Sequence, residues 1–395
     1  MVGRRRAETE AGSQRSPASS TSPPKKRRTY APRIWLGSDF WGLLQLLARN
    51  RFRVGWRHWY IVLIDLVISV GNTALRQVQH VTHGRAIART KIDKPPLFIL
   101  GHWRTGTTLL HELLVLDERH KSPTTFQCLC PNHFLLTEWL GTRTLGWMMP
   151  SSRPMDNMAV GWNRPQEDEF ALCNLGVPSP YLTLAFPNEP PQYPEYYDLE
   201  AIDELALDRW KRKLDWFFRA VTYRTPGRLV LKSPPHTCRI KTLLELFPDA
   251  RFVYLVRDPY LVYASTMHLW PSLYAAQGFQ SPTCDGLEEY VLSQFVHMHE
   301  RFEATRHLIP PGRLVTLRYE DLVDDPLATV RSIYAQLELG DFEPARATCE
   351  AYLAEHADYA TNRYRPLTAG QRETIRARWS AYIEQHGYDR PSVNG

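Results

Sequence analysis

Residues Gly101-His102-Trp103-Arg104-Thr105-Gly106-Thr107-Thr108 bring together the groups that hold an oxyanion: a glycine-bearing turn, hydroxyls and a cation. Where a strand turns into a helix, such a loop aims several backbone N–H groups at one point, and the helix dipole adds about half a positive charge there. The spacing from Gly101 to Gly106 matches the Gly-x-x-x-x-Gly part of a Walker A loop. Thr107, however, stands where a nucleotide triphosphatase needs lysine, and the cation Arg104 lies inside the loop. Arg257 separates Val256 from Asp258, so a positive charge sits where a magnesium-holding carboxylate would close a Walker B strand. Both departures weaken a magnesium–ATP reading.

Other reactive groups are scattered along the chain. Lys232 and His236 flank Ser233-Pro234-Pro235, and Arg257 precedes Ser265 by two turns of helix. A transfer to a hydroxyl needs a general base, and an imidazole of near-neutral pKa at a strand end suits the task. His236 is the first choice, with Glu167, Glu169 and His133 as alternatives. The six cysteines include one close pair, Cys128 and Cys130, spaced too tightly for the usual zinc knuckle. No metal site is expected, and the thiols are read as reduced and mostly buried.

The elements that must position these groups alternate. Leu97–Leu100 is a short, wholly apolar run, as in a strand covered on both faces. Helical spacing follows from Thr107 to Leu116. Arg228–Lys232 and Phe252–Val256 read as strands, each followed by a turn and a helix, and Leu314–Leu317 is a fourth strand before a helix opened by Pro326. Asp258 is placed to cap a helix that begins at Pro259. Strands alternating with helices imply an α/β chain with a central parallel sheet flanked by helices. In such a sheet ligands sit at the carboxyl ends of the strands, where the loop 101–108, the Lys232–His236 turn and Arg257 all fall.

The loop Gly101–Thr108 resembles the 5′-phosphosulfate loop of the sulfotransferase superfamily, whose members carry Pro-Lys-Ser-Gly-Thr-Thr or Pro-Arg-Ser-Gly-Thr-Thr forms. The string Arg257-Asp258-Pro259-Tyr260-Leu261-Val262-Tyr263-Ala264-Ser265 resembles the family's 3′-phosphate motif. The turn Leu231–His236, the string Arg164-Pro165-Gln166-Glu167-Asp168-Glu169, and Tyr319-Glu320-Asp321-Leu322 with Asp325-Pro326 resemble its large bacterial branch. The resemblance implies a P-loop-like three-layer fold over residues 95–340 and 3′-phosphoadenosine 5′-phosphosulfate (PAPS) as sulfuryl donor. It implies that Arg104, Thr105, Gly106, Thr107, Thr108, Leu109, Arg257 and Ser265 hold the donor, and that Arg104 and Lys232 act near its bridging oxygen. Members with a Lys-Thr-His turn carry the histidine two residues after the lysine, whereas His236 stands four after Lys232. Sulfuryl transfer is in line and loose, as in phosphoryl transfer, and the lower charge of a sulfate ester makes a metal dispensable.

Around this core we expect a disordered basic tail at 1–35, a helical, apolar and aromatic extension at 36–94, an acceptor-side insertion at 120–225, and a helical region at 341–395. The net charge of +6 is uneven: residues 1–33 carry nine Lys/Arg against Glu8 and Glu10, so the remainder is slightly acidic. A nucleic-acid partner is not expected, since Pro23–Arg28 reads as a solvated basic stretch that suits an anionic membrane. The apolar run Trp59–Val70 contains Asp65 and is shorter than the ~20 residues of a membrane span. It reads as a buried helix, with peripheral membrane contact through 38–70 and the tail as the lesser alternative. A charged start without an apolar leader reads as a cytoplasmic chain. The acceptor carries a hydroxyl or amine, and a lipid, a glycan or a small molecule all suit. A P-loop kinase or triphosphatase and a non-catalytic, membrane-peripheral nucleotide-binding protein are the competing readings.

Overall fold

The computed structural model describes residues 32–149, 160–356 and 364–388. The basic tail, including Pro23–Arg28, lies almost wholly outside them, as does part of the loop expected near 362–366.

From the amino end, α1 (Phe40–Arg49) and the long α2 (Trp59–Arg89) precede β1 (Leu97–Leu100). Next come α3 (Thr107–Val115), the two-residue β2 (His120–Lys121), α4 (Thr125–Leu129), α5 (Phe134–Thr144), α6 (Asp168–Asn174) and α7 (Glu204–Arg224). The chain continues through β3 (Arg228–Lys232), α8 (Ile240–Leu246), β4 (Arg251–Val256), α9 (Pro259–Gln277), α10 (Leu287–Thr305) and β5 (Leu314–Arg318). It closes with α11 (Tyr319–Asp324), α12 (Pro326–Gln336), α13 (Glu343–Glu355), α14 (Ala369–Arg378) and α15 (Ser380–His386).

All neighbouring strands pair in parallel, in the order β2-β3-β1-β4-β5. Period-2 alternation divides the core into two layers. Leu97, Ile99, Val230, Val253 and Leu255 pack on one face against Leu110, Leu113 and Leu114 of α3 and Val330, Ile333 and Tyr334 of α12. Phe98, Leu231 and Phe252 point to the other face, where Phe217, Phe218 and Leu243 cover them. This is the expected α/β architecture, a parallel sheet between two layers of helices. After β1 the chain runs out to the edge strand β2, inserts β3 between β2 and β1, then crosses to β4 on β1's other side. The resulting switch point places the loops after β1 and β4 side by side.

One expectation is corrected. The run Trp59–Val70 is helical but not buried: Tyr60, Leu63, Ile64, Val67, Ile68 and Val70 are exposed. Between Ile61 and Val62 at its start and Ile87 near its end, the buried positions of α2 are polar, namely Asp65, Ser69, Asn72 and Gln79. Asn72 Nδ2 donates to the carbonyls of Leu36 (2.7 Å) and Ser38 (2.9 Å), and Gln79 Oε1 accepts from the Leu135 N–H at 2.9 Å. Those hydrogen bonds turn the polar stripe inward and leave the apolar one outside.

Burial pushes the Asp65 carboxyl up to about 7 from 3.8, against the pull of Arg33. The folded chain therefore binds this proton more tightly than the unfolded chain. The favourable contribution is complete below the ordinary carboxylate pKa and is lost as pH rises through about 7. Asp65→Asn is accordingly expected to gain stability relative to the parent as pH goes from 5 to 8. Paired urea titrations at the two pH values check this, and an unchanged difference would sink it.

Candidate active site

The loop after β1 needs conformations that few residues tolerate. Arg104 and Gly106 lie in the left-handed region, at φ +71° and +96°. A Cβ on Gly106 would stand 2.1 Å from the Tyr319 ring, so a side chain there is excluded by space as well as by φ. The Thr105 hydroxyl donates to the His102 carbonyl at 2.7 Å, bracing the loop internally. Thr237 ties it to the segment after β3, accepting from the Gly101 N–H at 2.8 Å. The turn leads directly into α3, whose first N–H groups, those of Thr107, Thr108 and Leu109 among them, have no intrahelical acceptor.

The loop cation and the 257–265 pair meet. Arg104 Nε donates to Ser265 Oγ at 2.7 Å, and Arg257 Nη1 donates to the Arg104 carbonyl at 2.9 Å. Ser265 is buried on the second turn of α9, a helix capped by Asp258, which accepts from the N–H groups of Tyr260 and Leu261. Arg257 lies over the Tyr319 ring at 4.0 Å, and its Nε is buried without a hydrogen-bond partner. A cation so held, with an unused donor, is set for an anion. Tyr364, which the sequence does not single out, joins this cluster, its hydroxyl 2.8 Å from Ser265 Oγ.

At the amino end of α6, three consecutive carboxylates divide their partners among the residues that follow β3. Glu167 Oε1 accepts from Lys232 Nζ at 2.5 Å. Asp168 Oδ2 lies 2.7 Å from His236 Nε2 and its Oδ1 accepts from the Ser233 hydroxyl. Glu169 takes Arg239 through two hydrogen bonds and the Ser179 hydroxyl at 2.5 Å. Burial alone would raise the Asp168 carboxyl; the His236 ring and the Ser233 hydroxyl outweigh it and hold the carboxyl below the usual range.

The chemistry sorts these residues. Glu167 lines a cavity of about 180 Å³ whose walls include Arg104, Thr107 and Thr108 as well as Phe170, Leu184 and Trp270. Its second oxygen accepts from the Tyr181 hydroxyl at 2.5 Å, and Trp103 Nε1 donates to that same hydroxyl at 3.0 Å. Burial and the adjacent Glu167 push the Tyr181 phenol far up, so it serves as a neutral donor. Lys232 is buried behind Glu167.

His236 does not reach the cavity. It is fully buried against Asp168, with the Phe98 ring 5.5 Å away edge-on. His133 is likewise withdrawn, bonded to Thr137 and to Asn72 of α2, with burial pushing its pKa down to about 4. Glu169 is consumed by Arg239. Of the four base candidates, the structure brings Glu167 to the loop.

A model of the sulfotransferase family matches residues 95–344. The chain belongs to the sulfotransferase family. It is 47% identical to the omega-hydroxy-beta-dihydromenaquinone-9 sulfotransferase Stf3 of Mycobacterium bovis and to that of Mycobacterium tuberculosis, over 94% of this chain and 95% of each relative. Among solved structures, sulfotransferase STF9 from Mycobacterium avium shares the fold at TM-score 0.64 and 19% identity, covering 88% of this chain and 96% of that one. Sulfotransferase STF1 from Mycobacterium tuberculosis H37Rv does so at 0.60 and 19%, covering 86% and 90%. The protein is a sulfotransferase, which sets aside the kinase, triphosphatase and binding-module readings.

Proposed function

We propose that this sulfotransferase moves the sulfuryl group of PAPS to the terminal hydroxyl of an apolar lipid, of the omega-hydroxylated menaquinone kind named for its relatives, with Glu167 as general base. The observation that carries the reading is the Glu167 carboxylate, which lines a mainly apolar cavity together with Arg104, Thr107 and Thr108 of the anion loop. When bound, the donor supplies an electrophilic sulfur and an anionic leaving group. The loop fits the donor's charge: Thr107, Thr108 and Leu109 contribute helix-terminal N–H groups, Gly106 permits close approach, and Arg257 and Ser265 flank the place for the 3′-phosphate. Arg104 supplies fixed positive charge to the oxygen that takes the electron pair, while Lys232 spends its charge on Glu167. Glu167 accepts the acceptor's proton as the new S–O bond forms and the bond to the leaving oxygen breaks. Tyr181 and Lys232, holding one carboxylate oxygen each, fix its direction.

The cavity also supports an acceptor that enters end-on. Its volume, about 180 Å³, is close to the ~150 Å³ apolar cavity that takes one benzene. Only the hydroxyl end of a polyprenyl chain fits such a space.

Labelled transfer from PAPS to an omega-hydroxylated menaquinone tests the reading directly. No transfer to any long-chain alcohol would overturn the acceptor assignment. Titration calorimetry with 3′-phosphoadenosine 5′-phosphate tests the donor side. Arg257→Ala is expected to weaken that binding about 10- to 150-fold, the loss of a charge-assisted hydrogen bond worth ~1.5–3 kcal/mol. Unchanged affinity would remove Arg257 from the donor site.

A further inference from the structure

Helix α2 is inside out for a protein bathed in water. Its exposed positions Tyr60, Leu63, Ile64, Val67, Val78 and Val81 recur at helical spacing, Val67 at 75% exposure and Val81 at 80%. The inward stripe of Asp65, Ser69, Asn72 and Gln79 follows the same period and is polar through the middle of the helix, with Ile61, Val62 and Ile87 buried only towards its two ends. Elsewhere in the chain helices bury apolar residues, as α7 does with Trp210, Leu214, Phe217 and Phe218. The middle of α2 has the opposite arrangement. It is energetically sensible only if the outer side meets something other than water.

The surroundings indicate what that is. Trp56, just before α2, is 79% exposed, and Trp41 on α1, Trp139 on α5 and Trp147 after it are also exposed. Helices α1 and α5 both pack on α2. Two of these indoles carry a guanidinium over the ring, Arg57 on Trp56 at 4.8 Å and Arg143 on Trp139 at 4.5 Å. Tryptophan and arginine around an apolar stripe match the layering of a bilayer surface, with hydrocarbon at the centre and headgroups at the rim. The nine Lys/Arg of residues 1–33 add attraction to anionic lipid. A helix crossing the bilayer would expose Asn72 and Gln79 to hydrocarbon, whereas here both are hydrogen-bonded to the protein body. The helix thus lies on the membrane rather than through it.

The inner side of the same helix is tied to the wall of the active site. Asn72 holds the Leu36–Ser38 segment, and Pro32 and Ile34 just before it wall the cavity. Met149 also lines the cavity, two residues from exposed Trp147.

We propose that the outer face of α2, with its tryptophan rim, docks this sulfotransferase on an anionic lipid bilayer, from which the hydroxyl end of the acceptor passes into the cavity. The acceptor half rests on the lipid reading above; the docking half does not.

Sedimentation with phosphatidylcholine vesicles, with and without phosphatidylglycerol, tests it on the full chain. The parent is expected to pellet with the anionic vesicles. The variant combining Trp56→Ser, Leu63→Ser and Val67→Ser should partition at least tenfold less, with its melting temperature and its turnover of a short, soluble alcohol unchanged. A parent that stays in the supernatant overturns the proposal. So does a parent that light scattering shows to be a dimer which the triple variant dissociates, because a second copy then covers the face. Vesicle binding by the parent without sulfation of any membrane-held alcohol supports docking and overturns the lipid-acceptor reading.

Discussion

In Glu167→Gln, turnover of the acceptor is expected to fall about 10²- to 10⁴-fold, the usual contribution of a positioned general base, while affinity for 3′-phosphoadenosine 5′-phosphate stays near that of the parent. The substitution keeps size and shape, and the remaining carbonyl oxygen still accepts from either Lys232 or Tyr181. What is lost is the second acceptor oxygen and the ability to take a proton at neutral pH. A purely structural Glu167 would show a different pattern, with a lowered melting temperature and a modest loss of turnover. The companion variant His236→Asn separates the roles. His236 is buried against Asp168, so its replacement should cost stability, with turnover falling only as far as the site loosens. Near-normal turnover in Glu167→Gln, together with a collapse in His236→Asn, would return the base to the histidine.

How much of this was legible beforehand depends on the length scale of the signal. The strands were readable because each is a short apolar run ended by a turn, and the anion loop because its glycine and hydroxyls lie within eight residues. The two-residue β2 (His120–Lys121) left no such trace, since two residues have no periodicity. Glu167, Asp168 and Glu169 look interchangeable in sequence. Their fates part only when α6 starts at Asp168, which sends one carboxylate to the cavity and two into the protein. His236 follows the end of β3 in the sequence, but Pro234–Cys238 forms a tight 3₁₀ turn that carries the ring under the sheet's end, onto Phe98. Tyr181 and Tyr364 reach the site across long sequence separations and sit in no motif. The apolar composition of α2 is legible in the sequence and its orientation is not, because the polar residues that face inward are chosen by partners on other segments.

Arg239→Met is expected to produce the largest loss of stability, about 3–5 kcal/mol, as for other buried charges stripped of their partner. The guanidinium is fully buried. It bonds Glu169 through Nη1 at 2.5 Å and Nη2 at 3.1 Å, donates to the Tyr196 carbonyl at 2.6 Å, and lies 5.0 Å over the Trp210 ring. Methionine fills much of the volume but leaves the Glu169 carboxylate in a low-dielectric interior with the Ser179 hydroxyl as its remaining donor among the described residues. The double variant Arg239→Met, Glu169→Leu removes both charges at once and should recover most of the loss, since exchanging a whole buried pair for apolar packing is often neutral or better. Urea denaturation of the three proteins measures the cycle; an Arg239→Met chain as stable as the parent would mean that the pair is not buried as described. Turnover provides a second reading. Glu169 stands two residues from Glu167, so its tie to Arg239 anchors the start of α6 and hence the base. A rescued double variant that folds like the parent but turns over normally would show that Lys232 and Tyr181 alone suffice to aim Glu167. A folded double variant with intact donor affinity and depressed turnover would show that Arg239 positions the base across the 70 residues that separate it from Glu169.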